Sequence, residues 1–452
     1  MELSQILALL IFLVMFAVII WGKVHRYIPA LLAGIAVILF VFLLVMRSPH
    51  AVVNVLNLEH FADLAFWYPG RGHFETSGGI NWQTIVFIAG MMAMVEGMAD
   101  AGFFRWLCLV VARMVKYRVV PILVTFMLLS GFLSMFIDSI TVLLFLAVVT
   151  IELSRLLKFD PVPVIIAEIF AANVGGSATM SGDPPNIIIG TTFGYTFTDF
   201  LENTGLIAWI GMVVTLLIFY FAFHKQLLAS HSGAGAVERY PQPREAIHNM
   251  AHFRISTGIF LLVVVMLVTH ANTGMSVALI GVIAGVLTLI TAGREFHQII
   301  RRLDWRTLIF FIGLFTVVGG LEQTGIPEKL AGFIGDISGG NIVMVITIIV
   351  WLSAFTSAII DNIPFAATMV PVIRNLALTQ GLDLQTLSWS LTLGTDIGGN
   401  GTPIGASANV VGTAIAEREG HPISWSRFTK YALPAMIVSV GLCTVYLILR
   451  YA

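Results

Sequence analysis

The sequence predicts an all-α protein that crosses a membrane many times and consists of two related halves. The chain is 58% hydrophobic and 11% charged, with a mean hydropathy of +0.93, whereas a soluble globular protein carries about 25% charged residues. Many apolar runs approach the roughly 20 residues that a helix needs to cross a bilayer. In addition, residues 82–186 align with residues 305–409 at a constant shift of 223 positions and without a gap.

The identical positions of this repeat concentrate on Asp, Asn, Gly, Ser and Thr within very apolar surroundings. Asp138 corresponds to Asp361 and Asn186 to Asn409, and the Gly-Gly pair that begins at Gly175 also has a counterpart. Duplicated apolar halves that repeat their polar and glycine positions are typical of secondary transporters, which build a binding site near the bilayer midplane.

The same series of elements is predicted in each half. The first half has spans near 4–21, 28–46 and 82–99, an amphipathic segment near 103–115, a hairpin at 119–157, a helix interrupted between about 174 and 186, and a last span near 205–225. The second half has them near 254–270, 275–292, 305–321, 327–337, 341–380, 385–419 and 431–449. The first apolar run lacks a basic start and a convincing cleavage site, so it is interpreted as a helix rather than a signal peptide.

The number of crossings predicts inverted repeats. If each hairpin enters and leaves on one side, each half crosses five times, and an odd number turns the second half upside down. The predicted division is a first repeat at 1–227, a cytoplasmic linker at 228–252 and a second repeat at 253–452. With the N-terminus outside, 19 of the 24 Lys and Arg residues fall on the inside and 5 on the outside, which agrees with the positive-inside rule. Both termini are therefore predicted to face outward, in what we expect to be a prokaryotic inner (plasma) membrane.

The net charge and the cysteine content limit the classes of partner that the protein is expected to bind. The net charge of −1 argues against nucleic acid as a partner. The two cysteines, Cys108 and Cys443, lie in apolar stretches and suggest neither a disulfide framework nor a thiolate metal site. The expected partners are the lipid bilayer and a small-molecule or ion substrate.

Two glycine-rich stretches, here called the first break (173–186) and the second break (396–409), cannot be continuous helix. Glycines permit positive φ, and prolines remove backbone donors. Each break should leave two half-helices with their ends at one spot, where N-termini favour anionic groups and C-terminal carbonyls favour cations.

Asp138 and Asp361 sit at the middle of the two predicted hairpins. A carboxylate at bilayer depth costs at least about 2.5–3.5 kcal/mol on insertion scales, which favours a role as a Na⁺ ligand or proton carrier. The alternative is an N-cap of the second hairpin arm. Asp183 and Asp396 are further candidates, although the shift pairs them with Ala406 and Asn173. For Asp183 an N-cap is an equally good interpretation, because two prolines follow it.

Polar residues near these acids complete the candidate substrate and ion site. Asn186 and Asn409 can offer an oxygen to a cation or an NH₂ group to an oxyanion, or bond a local turn. The other candidates are Ser139, Asn173, Gly176, Ser177, Thr179, Asn362, Gly399, Asn400, Thr402 and Ser407. Na⁺ is the only bound cofactor considered, at Asp138/Asn186 and Asp361/Asn409. Glu96 and Glu168 are expected to face the protein interior with a hydrogen-bond partner.

Three segments, Gly182–Asn186, Ile360–Phe365 and Gly398–Asn409, resemble the arsenite efflux permease/P-protein family of the ion transporter superfamily. That superfamily also contains divalent anion:sodium symporters and NhaD-type sodium/proton antiporters. The resemblance implies scaffold parts at 1–117 and 253–338 and transport parts at 118–227 and 339–452. It also implies movement of the transport parts as an elevator, and a homodimer.

The hairpin tips depart from the sodium symporters, in which Ser-Asn-Thr motifs hold Na⁺. Here the tips read Asp138-Ser139-Ile140 and Asp361-Asn362-Ile363. An acid replaces a neutral ligand, so proton coupling stays as open as sodium coupling. The sequence thus predicts a cation-coupled secondary transporter, with arsenite or antimonite efflux as the first substrate. A dicarboxylate or other anion carrier and a Na⁺/H⁺ antiporter are the alternatives. An intramembrane protease and a passive channel are the rivals from other classes.

Overall fold

The structure, a computed structural model, describes residues 2–69, 78–231 and 240–452, and every regular element within these ranges is a helix. The α-helices of the first half are α1 (Leu3–Trp21), α2 (Tyr27–Ala36), α3 (Pro49–Leu56), α4 (Leu64–Trp67), α5 (Trp82–Asp100), α6 (Phe103–Met114), α7 (Val119–Ser134), α8 (Ser139–Leu157), α9 (Val162–Gly176), α10 (Pro184–Phe193), α11 (Phe197–Phe200) and α12 (Leu206–His231). Two π-helical segments, Val37–Val45 and Leu201–Gly205, continue α2 and join α11 to α12, and Leu58–Ala62 is a 3₁₀ turn.

The second half repeats much of this series. Its α-helices are α13 (Met250–Thr273), α14 (Val277–Ala292), α15 (Phe296–Arg302), α16 (Trp305–Gln323), α17 (Ile326–Ser338), α18 (Ile342–Ile359), α19 (Asn362–Gln380), α20 (Leu384–Gly398), α21 (Ser407–Arg418) and α22 (Trp425–Tyr451). Its 3₁₀ turns are Pro243–Ala246, Gly293–Glu295 and Gly399–Gly401. Helices α16, α17, α18, α19 and α21 begin 223 residues after α5, α6, α7, α8 and α10.

Nine helical stretches in the described part of the chain are long and apolar enough to cross a membrane. They are Leu3–Trp21, Tyr27–Val45, Trp82–Asp100, Ser139–Leu157, Phe197–Ala229, Met250–Thr273, Trp305–Gln323, Ile342–Ile359 and Trp425–Tyr451. Helices α7, α9 and α14 are apolar but shorter. The protein is therefore an integral, multi-pass membrane protein, as the composition predicts.

The predicted helices and interruptions agree closely with the observed ones, with differences at a few ends. The last helix begins at Trp425 instead of near 431 and contains Pro434 in its interior, which transmembrane helices tolerate. The sequence predicts no helix between 47 and 69, where α3 and α4 form. Arg71 and Arg239, which enter the charge distribution, lie outside the described residues, as do positions 232–239 of the predicted linker.

The early helices of the two halves pack in exchanged pairs. Helix α5 packs on α14, and α16 packs on α2. A Cβ atom at Gly90 would lie 1.9 Å from the carbonyl oxygen of Gly281, and one at Gly313 would lie 2.6 Å from that of Ala30. Only small residues allow backbones to approach so closely, as is common between membrane helices. Each half therefore supplies one helix to each of the two tight pairs.

The hairpins pack against the breaks. Helix α7 lies on α9, and α18 lies on α20. A Cβ atom at Gly175 would lie 2.1 Å from the carbonyl oxygen of Gly131, and one at Gly398 would lie 2.2 Å from the Cα of Ala354. Helices α8 and α21 also pack together, as do α10 and α19, so the second arm of each hairpin contacts the opposite half. This arrangement brings both hairpin tips and both breaks to one place.

Candidate functional site

Two asparagines fix the backbone of the breaks in the same way. In the first break, Asn186 Nδ2 donates 3.0 Å hydrogen bonds to the carbonyl oxygens of Gly176 and Thr179. In the second break, Asn409 Nδ2 makes the corresponding bonds at 2.7 Å, to Gly399 and Thr402. Both amide hydrogens are thereby used, so these NH₂ groups bond the turn and do not face an oxyanion. The Oδ1 atoms of Asn186 and Asn409 point away from these backbone turns, toward the centre of the molecule.

The hydroxyl groups of the breaks also serve the backbone. Thr179 Oγ1 donates to the carbonyl oxygen of Met135 at 2.5 Å, and Thr402 Oγ1 donates to that of Ala358, which is the equivalent atom at the 223 shift. Ser177 Oγ donates to the carbonyl oxygen of Val174 at 2.7 Å. The two threonines therefore fasten each break to the hairpin beside it.

The acids of the hairpin tips cap the helices that follow them. Asp138 accepts hydrogen bonds from the backbone N–H of Thr141 at 3.0 Å and from its hydroxyl at 2.7 Å. Asp361 Oδ1 accepts from the backbone N–H of Ile363 at 3.1 Å. The capping interpretation of both acids is thus what the structure shows, and it leaves oxygen lone pairs of both carboxylates available to a cation.

Asp361 carries a partner that sequence reasoning missed. Nη1 of Arg26, at the start of α2, lies 2.9 Å from Asp361 Oδ2 and 2.5 Å from Ser407 Oγ. Ser407 Oγ in turn donates to Asp361 Oδ2 at 2.6 Å, and Arg26 Nη2 donates to Thr307 Oγ1 at 3.1 Å. In the sequence Arg26 is one of many basic residues between spans, and nothing distinguishes it from the rest.

Both hairpin tips meet on one carboxylate, that of Asp183. Ser139 Oγ donates to Asp183 Oδ1 at 3.0 Å, and Asn362 Nδ2 donates to Asp183 Oδ2 at 2.6 Å. Ser139 and Asn362 occupy equivalent positions at the 223 shift, directly after Asp138 and Asp361. Asp183 does stand at the N-cap position of α10, but its side chain makes no capping hydrogen bond. The tips use that side chain instead.

The two breaks contact each other through asparagines. Asn173 Nδ2 donates to Asn400 Oδ1 at 2.9 Å and to Asn409 Oδ1 at 2.8 Å. All three side chains are fully buried. Since Asn173 belongs to the first half and the other two to the second, these bonds join the halves at the centre of the molecule.

Asp396 lies in the same cluster, beside Asp183 and Asn186. It is 0% exposed, and neither of its carboxyl oxygens accepts a hydrogen bond in the described part of the chain, because the adjoining side chains of Asp183 and Asn186 have no N–H left to donate to it. Asn186 Oδ1 and Asn173 Oδ1 are unpartnered in the same way. Burying an ionised carboxylate without a partner is costly, so this group of oxygens needs a proton or a cation. We call Asp183, Asp396, Asn173, Asn186 and Asn409 the central cluster.

Both glutamates outside the central cluster have partners, as expected, but of the two only Glu168 faces the interior, since the Glu96 side chain is 24% exposed. Glu168 accepts from the hydroxyl of Thr150 at 2.5 Å, and Glu96 forms an ion pair with Arg302 at 3.1 Å. Cys108 and Cys443 are buried and free. Within the described ranges no group of three or more His, Cys, Asp or Glu side chains is placed to hold a metal ion.

A cavity of about 650 Å³ reaches the first break from one end of the helices. It is lined by residues from the end of α10, from α11 and from the junction of α13 and α14, among them Tyr195, Asp199 and His270, and it touches Met180 inside the break. A second space of about 20 Å³ adjoins Asp138. Both spaces therefore border a hairpin tip or a break.

A polytopic helical fold with buried, charged residues between paired hairpins and interrupted helices is that of a membrane transporter. Comparison with known proteins agrees. The model of the citrate transporter family, CitMHS, matches residues 16–394, and the chain belongs to this family. It is a transporter and not an enzyme, and its substrate is a small molecule or an ion.

Relatives extend from bacteria to mammals. The chain is 35% identical over 387 residues to an uncharacterized transporter of Mycobacterium tuberculosis, covering 84% of this chain and 88% of that protein. It is 30% identical to the human P protein, covering 92% of this chain and 59% of that protein. Its fold resembles the YdaH transporter of Alcanivorax borkumensis with a TM-score of 0.57 at 14% identity, covering 90% and 89% of the two chains. The predicted resemblance to P proteins is confirmed, while its arsenite permease part stays a prediction.

Proposed function

We propose that this protein is a secondary active transporter that couples the movement of a small solute to that of H⁺ or Na⁺ by alternating access. One observation carries the proposal. Both hairpin tips converge on Asp183, and Asp396 is buried beside it without a hydrogen-bond partner among the described residues. Such a site is stable only when a cation or proton neutralises it.

Neutralisation supplies a mechanism of coupling. The donors on Asp183 come from the two tips, so the charge state of the central cluster acts directly on both hairpins. A ligand shifts a conformational equilibrium only by its differential affinity for the two states. A bound cation removes the repulsion between Asp183 and Asp396, and it therefore favours the arrangement in which both tips close on the cluster.

Inverted repeats and an elevator movement belong to the same proposal. The exchanged helix pairs α5–α14 and α16–α2 lie within the scaffold parts 1–117 and 253–338. The hairpins and breaks pack among themselves within 118–227 and 339–452. The most extensive helix pairs each lie within one part, which supports a transport part that moves against a scaffold. Contacts that cross the division, chiefly those of α17 on α19, would have to slide during such a movement. Outward-facing termini and a homodimer complete the proposed architecture.

For the substrate we place a carboxylate such as citrate first, on the description of the family. Two acids in the central cluster repel an anion, so an anionic solute would enter only with its coupling cation. The amides of the cluster also suit the hydroxyl groups of neutral arsenous acid, which we place second. A Na⁺/H⁺ antiporter is third, because the same carboxylates would suit competing cations.

The test is flux into proteoliposomes under separately imposed Na⁺ and pH gradients, with citrate, succinate, arsenite and ²²Na⁺ compared. Uphill accumulation of one solute under one gradient, lost in Asp396→Asn, is the expected result. Glu168→Gln is the matched control, because it removes another fully buried acid that lies outside the central cluster. Equilibration without accumulation under every gradient would show a passive channel.

A further inference from the structure

Arg26 joins the scaffold part to the second hairpin. It lies where α2 begins and donates to Thr307 near the start of α16. Both helices belong to the scaffold part. Through Nη1 it also bonds Asp361 at the hairpin tip and Ser407 at the start of α21. Its guanidinium carbon lies 5.0 Å from the ring centroid of Phe310, which also belongs to α16. One side chain thus contacts both of the parts that an elevator movement would separate.

The equivalent tip has no such partner. Asp138 corresponds to Asp361 at the 223 shift and caps its helix in the same way, but its hydrogen bonds are to Thr141, and no Lys or Arg of the described chain forms an ion pair with it. The small space beside Asp138 is mostly apolar and also includes Thr307. Of the two equivalent carboxylates, therefore, that of Asp361 is paired with an arginine, whereas that of Asp138 is bonded to Thr141.

The surroundings of the Arg26–Asp361 pair are acidic and partly shielded. The side chains are 27% and 13% exposed. Asp304 accepts from the Thr307 hydroxyl at 2.5 Å, and Asp183 is joined to the second tip through Asn362. Arg306 and His25, whose side chains lie 3.2 Å apart, are also near this pair. The helices α2, α16, α19 and α21 carry the further charged or titratable residues Tyr27, Glu322, Arg374, Glu417 and Arg418. A cation arriving here would meet an acidic site in which Arg26, alone among the described residues, forms an ion pair with Asp361.

We propose that Arg26 is an internal counter-cation, which holds Asp361 to the early helices until the coupling cation takes its place. This inference rests on the proposed cation-coupled function. The guanidinium donates to Asp361 Oδ2, the oxygen that a cation would share with Ser407. Occupation by both at once is unfavourable, because two positive charges would compete for one carboxylate. Displacement of Arg26 releases the second hairpin and α21 from the scaffold part.

The experiment measures the thermal unfolding midpoint of the purified full chain in nanodiscs. NaCl is titrated against choline chloride at fixed pH, and pH is titrated without Na⁺. The cation that stabilises the wild type should do so at a concentration about tenfold lower in Arg26→Gln, because the lost competitor made a charge-assisted hydrogen bond. Arg26→Lys, which keeps the charge, should stay near the wild-type value.

Two controls isolate the effect. Arg302→Gln removes an arginine that also pairs with an acid, Glu96, but away from the hairpin tips, and it should leave the cation response unchanged. The pH titration is repeated in His25→Gln, because a histidine titrates in the range tested. If Arg26→Gln does not fold, Thr307→Val removes one guanidinium partner and should lower the half-saturating concentration by about two- to threefold.

The outcomes separate the two proposals. A wild type that neither Na⁺ nor H⁺ stabilises would overturn the proposed cation coupling, and this inference with it. A wild type that responds, with Arg26→Gln or Thr307→Val at the same or a higher half-saturating concentration, would overturn the role of Arg26 alone.

Discussion

Asn362, at the tip of the second hairpin, donates a 2.6 Å hydrogen bond to Asp183, which belongs to the first break and lies 179 positions earlier in the chain. Ser139, its counterpart in the first hairpin, donates to the other oxygen of the same carboxylate. Equivalent residues of the two halves therefore both donate to the carboxylate of Asp183 in the central cluster.

Replacing Asp183 should separate transport from folding. Asp183→Asn removes the charge on which both tips converge and leaves one carbonyl oxygen for two donors. We expect coupled flux in proteoliposomes to be lost, with a cost of about 1–2 kcal/mol in stability. Asn362→Ala removes a donor and not the charge, so it should keep a measurable part of the flux. Full coupled flux in Asp183→Asn would contradict the assignment.

The acids of the hairpin tips should be needed for coupling and not for folding. Asn is as good an N-cap as Asp, so Asp138→Asn should express and unfold much like the wild type. Asp361→Asn keeps the cap but leaves Arg26 without its ion pair, so it should fold with a loss of about 1.5–3 kcal/mol in stability. Both should abolish coupled flux, because the carboxylate that binds the cation is gone. The measurement is gradient-driven uptake by the reconstituted variants. If both variants transport as the wild type does, the tips have only a capping role.

Asp396 should be replaceable by a neutral isostere without loss of stability. Its carboxyl group is fully buried and has no hydrogen-bond partner in the described structure, so the uncharged amide of Asp396→Asn avoids the cost of a buried charge. We expect an unfolding midpoint at or above that of the wild type, together with flux that no longer responds to the cation gradient. A fall in stability of about 3 kcal/mol or more would mean that the ionised form is held by partners.

The glycines between hairpin and break should tolerate no methyl group. In Gly175→Ala the new Cβ would lie 2.1 Å from the carbonyl oxygen of Gly131, and in Gly398→Ala 2.2 Å from the Cα of Ala354. Both neighbours are backbone atoms, so the helices must separate, at a cost of about 1–3 kcal/mol. Gly441→Ala is the control, because a Cβ there meets nothing within 4 Å. Thermal unfolding in nanodiscs measures all three, and equal midpoints would show that the contacts relax freely.

Much of the fold could be predicted from the sequence because its signals are local. Apolar length marks the spans, and glycines and prolines mark the breaks. The acids at the hairpin bends occupy N-cap positions, as their sequence context allows. The constant shift between halves also transfers each inference from one half to the other. The bonds from Asn186 and Asn409 to their own turns are local in the same sense, although the sequence indicates them only as the alternative to a ligand role.

The contacts between halves could not be predicted in this way. Nothing in the local sequence indicates that Asn173 bonds Asn409 or that Asn362 bonds Asp183, because tertiary packing alone brings these residues together. Asp183 shows the limit clearly, since its place before two prolines correctly predicts an N-cap position, yet its carboxylate bonds the hairpin tips. Arg26 was missed for the same reason.

The exchanged pairs α5–α14 and α16–α2 also govern how the molecule must be assembled. The close neighbour of Gly90 is Gly281, and that of Ala30 is Gly313. Both neighbours lie in the second half, so the first half, which is synthesised first, cannot form either tight pair by itself. The early helices of the first half therefore stay unpaired in the bilayer until those of the second half are inserted. Neither half is thus an independent folding unit, and biogenesis ends with the interlocking of both.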